Sequence, residues 1–167
     1  MLLYTDIISG DELISDAFKM VEVDDIVYEV DSYMVESKNG EVDIGANPSA
    51  EGGDEELEDG VERVDIIENS FRLQQTTFDK KSYTVYIRDY MKRIVAELEK
   101  SNPERVEPFK KAAATYVKKV LGNFKDYDFF TGEQVVPEGM AVLRNYREDG
   151  ITPYYIFFKD GLKEVKL

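Results

Sequence analysis

The sequence predicts an α+β protein: β-rich segments near both ends of the chain, with a helical hairpin between them. Two observations carry this. Residues 1–36 and 124–167 hold short runs of β-branched and aromatic residues broken by turn residues, whereas the apolar residues of 79–123 recur every three or four positions. The length, 167 residues, is that of one domain, expected to bury roughly 70% of its extended-chain surface. We therefore read residues 1–167 as a single domain whose β core spans 1–36, 64–78 and 124–167.

Taken in order, LLYTDII, KMVEV and IVYEVDSYMV read as strands, punctuated by SGDE and DD. DELISDAF between the first two fits either a strand or one helical turn. Residues 38–63 are nearly devoid of large apolar side chains, and seven acids stand between Glu51 and Glu62 without a base, which predicts a flexible acidic loop. VDIIENSFRLQQTTF returns to β composition, with Val64 and Ile66, then Phe71 and Leu73, in alternation.

Over 79–123 the period changes. Tyr83, Ile87, Met91, Ile94 and Leu98 form the stripe of one amphipathic helix. Asn102-Pro103-Glu104 restarts a second, with Asn as N-cap and Pro at the first helical position. Val106, Phe109, Ala113, Val117 and Val120 line its apolar face, and Gly122 suits the C′ position just past its end. So short a junction makes the pair antiparallel. The final segment alternates strand-like runs with the turns EDG, TP and KDG.

Composition excludes much chemistry. The chain has no Cys, hence no disulfide, thiolate metal site or Cys nucleophile, and no His, the side chain best suited to proton transfer near neutral pH. The opening MLLYTDIISGDELI lacks the basic start of a signal peptide, and no apolar run reaches the roughly 20 residues that span a bilayer, so a cytoplasmic protein without membrane insertion is expected. Gly45 and Gly52-Gly53 do not make a phosphate loop. No cofactor fingerprint is present. Asp54, Glu55, Glu56, Glu58 and Asp59 could offer oxygens to calcium, but no EF-hand loop appears: DYDFFTGE puts Phe130 where a ligand belongs. Weak calcium binding and plain solvation both remain open there, and no specific metal site is expected.

The net charge of −14 argues against DNA as a partner, but it is unevenly spread. Residues 79–119 hold eleven Lys/Arg against six Asp/Glu, a net of +5, and the remainder carries −19. On a helical wheel Arg105, Lys111, Lys118 and Lys119 fall opposite the apolar stripe. That basic face is a plain solvated face, an RNA or ribosome contact, or a dock for an acidic partner. The acids of 51–62 could also fold back over it.

Five blocks, IGANPSAEG (44–52), LQQTTF (73–78), YIRDYMKRI (86–94), FKDYDFFTGEQVVPEGMAVLRNY (124–146) and TPYYIFFKDGL (152–162), make the chain resemble the translationally controlled tumour protein family along its whole length. The lack of His and Cys suggests a fungal-type member. The resemblance implies a β-tent core, similar to that of a zinc-binding Rab exchange factor though without its cysteines, with a projecting helical hairpin and a mobile acidic loop. Ile44, Gly45, Asn47, Ser49 and Glu51 would be the loop's shoulder, packed on the core. The implied function is non-enzymatic: association with elongation factor 1A and its exchange-factor subunits or with a Ras-like small GTPase, biasing the nucleotide state. Glu12, Leu73 and Glu133 would mark the GTPase interface. Read without the resemblance, Glu12 is a turn or helix-start acid. The alternative is a scaffold or stress-response protein contacting ribosomes, microtubules (tubulin) and the mitochondrial surface from the cytoplasm.

Overall fold

The computed structural model describes residues 1–38, 41–42 and 61–167. All strand pairings among these residues are antiparallel, in three sheets. In the first, β1 (Leu2–Asp6) lies between β2 (Glu12–Ser15) and β12 (Leu162–Lys166). The second has six strands in the order β3 (Val21–Val23), β4 (Val27–Asp31), β11 (Pro153–Phe158), β10 (Val142–Tyr146), β9 (Asp128–Thr131) and β8 (Gln74–Thr76). The third joins β6 (Glu41–Val42), β5 (Met34–Lys38) and β7 (Val61–Asp65). Two helices, α2 (Lys80–Ser101) and α3 (Val106–Gly122), form the hairpin. No helix among the described residues is long and apolar enough to cross a membrane.

Local chemistry explains these elements. β11 reads PYYIFF, a near-continuous apolar run, and it is the buried strand flanked by β4 and β10. The pair Asp24-Asp25 takes φ of 57° and 59°, and Ile26 N donates to Val23 O, so the acids make the left-handed turn that joins β3 to β4. Asp79 caps α2, accepting from Ser82 N at 2.7 Å while Ser82 Oγ receives the Asp79 N–H at 3.0 Å. The inner face of the hairpin, with Phe124 in the 3-10 turn just past its end, meets β9 and β11 through aromatic rings: Tyr83 and Phe124 stand 5.1 and 5.4 Å from Phe129, and Tyr90 and Tyr116 lie 6.0 and 6.2 Å from Phe158.

Four expectations are corrected. Residues 64–78, read as part of the β core, carry a strand in β8 as expected, but Ile66–Ser70 forms a one-turn helix, α1. Its cause is Asp65, a buried N-cap whose carboxylate accepts from Ile67 N, Glu68 N and Ser32 Oγ at 3.0, 3.3 and 2.6 Å. The acidic segment 38–63 is shorter than expected, since Lys38, 41–42 and 61–63 belong to the third sheet. Asn102 makes no side-chain cap, because Pro103–Arg105 winds as a tighter 3-10 turn before α3 begins. Gly122 is the last helical residue, at negative φ, with Asn123 beyond it as the C-cap.

Burial drives the phenols of Tyr83, Tyr86, Tyr90 and Tyr116 well above the usual tyrosine range. A folded-state pKa above the unfolded one means that stability is fully present below about pH 10 and falls as pH rises past it. We expect a steep step in phenolate absorbance that coincides with loss of near-ultraviolet circular dichroism. A smooth titration of all eleven tyrosines with the fold intact would contradict it.

Candidate functional site

The turn between β1 and β2 and the loop after β9 are built against each other by two buried carboxylates. Asp6 accepts from Ile8 N (2.8 Å), Ser9 Oγ (3.0 Å) and, across the interface, Met140 N (2.8 Å). Asp11 accepts from Gln134 N and Nε2 at 3.2 and 2.8 Å. The approach requires Gly132, where a Cβ would fall 2.4 Å from Asp11 Cβ. Tyr86 of α2 steadies the far side of the loop, its hydroxyl donating to Gly139 O (2.6 Å) and accepting from Ala141 N (2.7 Å). Glu12 and Glu133, the residues next to Asp11 and Gly132, are thereby brought to one exposed edge.

Arg72 joins them. Its Nε donates to Glu133 Oε1 at 2.9 Å and its Nη2 to Glu12 Oε1 at 3.5 Å. All three side chains are about half exposed, so these ion pairs position more than they stabilise. The carboxylate of Glu133 holds the Arg72 guanidinium above its ordinary pKa. The backbone explains why Arg72 points outward: it takes φ 56°, the left-handed position ending α1, with Arg72 N bonded to Asn69 O and Leu73 N to Glu68 O. An arginine in this conformation costs about 1–2 kcal/mol relative to glycine. Val135 in the neighbouring loop is also left-handed, at φ 54°.

Leu73 does not lie on the exposed edge. As the apolar residue following the left-handed cap it turns into the core and is 3% exposed. It supports the edge from beneath, and Arg72, which the sequence reading passed over, occupies the surface. Beside Arg72 opens a concavity of about 370 Å³ whose lining includes Glu68, Asn69 and Gln74. Burial raises the Glu68 pKa, against the pull of Arg144 3.9 Å away. The edge therefore presents acids around one guanidinium. Among the described residues no group of three or more acids is placed to hold a metal ion.

Of the basic face, Lys111, Lys118 and Lys119 are exposed on α3, with Lys119 Nζ 5.4 Å from the Tyr116 ring. Arg105 is not on that face. It belongs to the 3-10 turn, where each residue advances about 120° and not 100°, and its guanidinium is largely buried against Asp160 and Asp25. Ile44, Gly45, Asn47, Ser49 and Glu51, and the acids Asp54, Glu55, Glu56, Glu58 and Asp59, lie outside the described residues.

Antiparallel sheets with a helical hairpin packed on them define an α+β fold that solved structures share. The structure superposes on the translationally controlled tumor-associated protein of Schizosaccharomyces pombe with a TM-score of 0.84, at 62% identity and covering both chains completely. For the translationally-controlled tumor protein of Caenorhabditis elegans the TM-score is 0.74, at 36% identity over 100% of this chain and 99% of that one. The model of the family "Translationally controlled tumour protein" matches residues 1–163. The homolog from Candida albicans is 59% identical over the full length of both chains. The chain belongs to the translationally controlled tumour protein family.

Proposed function

We propose that this protein is a noncatalytic regulator of the translation machinery, which binds elongation factor 1A, its exchange complex or a small Ras-like GTPase and biases the nucleotide state. The observation that supports it is the exposed edge on which Arg72 gathers Glu12 and Glu133. A carboxylate released from Arg72 competes for the lysine or magnesium that a GTPase holds against its nucleotide. Only unequal affinity for the GDP and GTP forms shifts the equilibrium, and couplings of this kind amount to about 1–3 kcal/mol.

The test is the release rate of labelled GDP from elongation factor 1A with the wild-type protein, Glu12→Ala and Arg72→Ala. We expect wild type to change the rate and Glu12→Ala to lose about tenfold in the concentration needed, as for a lost charge-assisted hydrogen bond. Arg72→Ala, which frees both acids, changes the effect without abolishing it. An unaltered rate at saturating protein removes this reading.

A second reading is favoured by Lys111, Lys118 and Lys119, which are exposed and, among the described residues, have no carboxylate within 4.0 Å. In it the protein is a scaffold on ribosomes or acidic tubulin tails. Its mark is binding that weakens steeply with salt and is lost on charge reversal at those lysines.

A further inference from the structure

The hairpin buries one face of each helix in the core, yet beside that face, along the seam between the helices, a further set of apolar side chains is only half covered. Between α2 and α3 this set lines an open groove of about 530 Å³. Ile87, Phe109 and Ala113 make its floor, and the half-buried Met91, Val95 and Val117 its walls. Ala96 and Ala114, exposed and small, leave it unfilled. Along α2 the lining runs from Thr84 to Glu99, about 22 Å at 1.5 Å per residue, or four helical turns.

The rim is cationic. Arg88 and Lys92 stand on α2 and Lys110 on α3, with Glu99 as the single acid of the α2 lining. Among the described residues Arg88 and Lys92 pair with no carboxylate, and Lys110 has only Glu107, 3.8 Å away on its own helix.

We infer that this groove docks an acidic amphipathic helix of a partner protein, its apolar anchors at i, i+3 or i+4 and i+7 in the groove and its carboxylates on Arg88, Lys92 and Lys110. This deepens the second reading above by naming the partner's chemistry, and it uses different side chains. Charge decides between occupants. A second copy meeting this face by two-fold symmetry would set the three cations against themselves. The chain's own acidic stretch 51–60 has Leu57 as its one large apolar residue, and cannot supply the anchors.

The probe is a labelled 18-residue peptide with leucines at the anchor positions and glutamates elsewhere, beside a twin in which lysines replace the glutamates. Fluorescence anisotropy is expected to show the Glu peptide bound at least tenfold more tightly, with helix gained on binding. Ala114→Glu, at an exposed position where the fold is undisturbed, and the pair Arg88→Glu with Lys92→Glu are each expected to weaken it about tenfold. Reversal of Lys111, Lys118 and Lys119 should change it by less than about threefold, so failure of the groove and failure of the scaffold reading are told apart. Equal binding of both peptides, or indifference to Ala114→Glu, overturns the inference. Self-association in sedimentation that Ala114→Glu abolishes also overturns it, in favour of a second copy.

Discussion

Arg105→Ala is expected to lower the unfolding free energy by about 3 kcal/mol, the cost of leaving a nearly buried carboxylate without its partner. Arg105 grips Asp160 with two hydrogen bonds, Nε to Oδ1 at 3.0 Å and Nη2 to Oδ2 at 2.8 Å, and these side chains are only 13% and 10% exposed. Its bonds to Asp25, at 2.7 Å to the carboxylate and 2.6 Å to the carbonyl, add less, because the Asp25 side chain is 59% exposed. The pair joins the foot of α3 to the turn between β11 and β12, so its loss loosens the hairpin from the sheets. Denaturant unfolding should show a lower midpoint at unchanged slope. Arg105→Lys, which keeps the charge and loses the fork, should fall between. A change below about 1 kcal/mol for Arg105→Ala would mean that water serves Asp160 as well as arginine does.

Asp6→Ala is expected to cost a similar amount, about 3 kcal/mol, for a different reason. The carboxylate, in a residue 3% exposed, accepts from two backbone amides and a hydroxyl, and its removal strands the donors of Ile8 and Met140. Asp6→Asn keeps one acceptor oxygen and should lose less. Hydrogen exchange at Ile8 and Met140 reports the loss locally. Asp6 also ties the turn preceding Glu12 to the loop carrying Glu133. Any effect of the protein on nucleotide release that depends on Glu12 should therefore weaken in Asp6→Ala, even at temperatures where the variant remains folded.

The long elements were legible because their periodicity is sustained. The stripes of α2 and α3 came out nearly as read, except that Tyr90 and Tyr116 are buried while Met91 and Val117 turn to the groove between the helices. A wheel allows either neighbour at the margin of the inner stripe, and the sheet beneath decides which ring it takes. The short α1 was missed because five residues show no period. Its signal was the cap, Asp65 with Glu68 three residues on. Arg105 was misplaced by extending one helix through a 3-10 turn. The candidate site was legible only through the family resemblance, which pointed to Glu12 and Glu133; read alone, Glu12 is a turn acid. Arg72 joins residues 60 and 61 positions away, a juxtaposition no local pattern encodes.

The sheet of β2, β1 and β12 has a kinetic side as well. Tyr4 reaches Glu164 across 160 positions of sequence, and every β1–β12 pairing has a separation of that order. Until residues 162–166 leave the ribosome, β1 has β2 on one flank and an open hydrogen-bonding edge on the other, the kind of edge that recruits strands from other chains. Closure of this sheet is thus a late, long-range event, set by loop-closure entropy and not by the strength of the strands themselves. Until that closure the outer edge of β1 stays open to pairing with other chains.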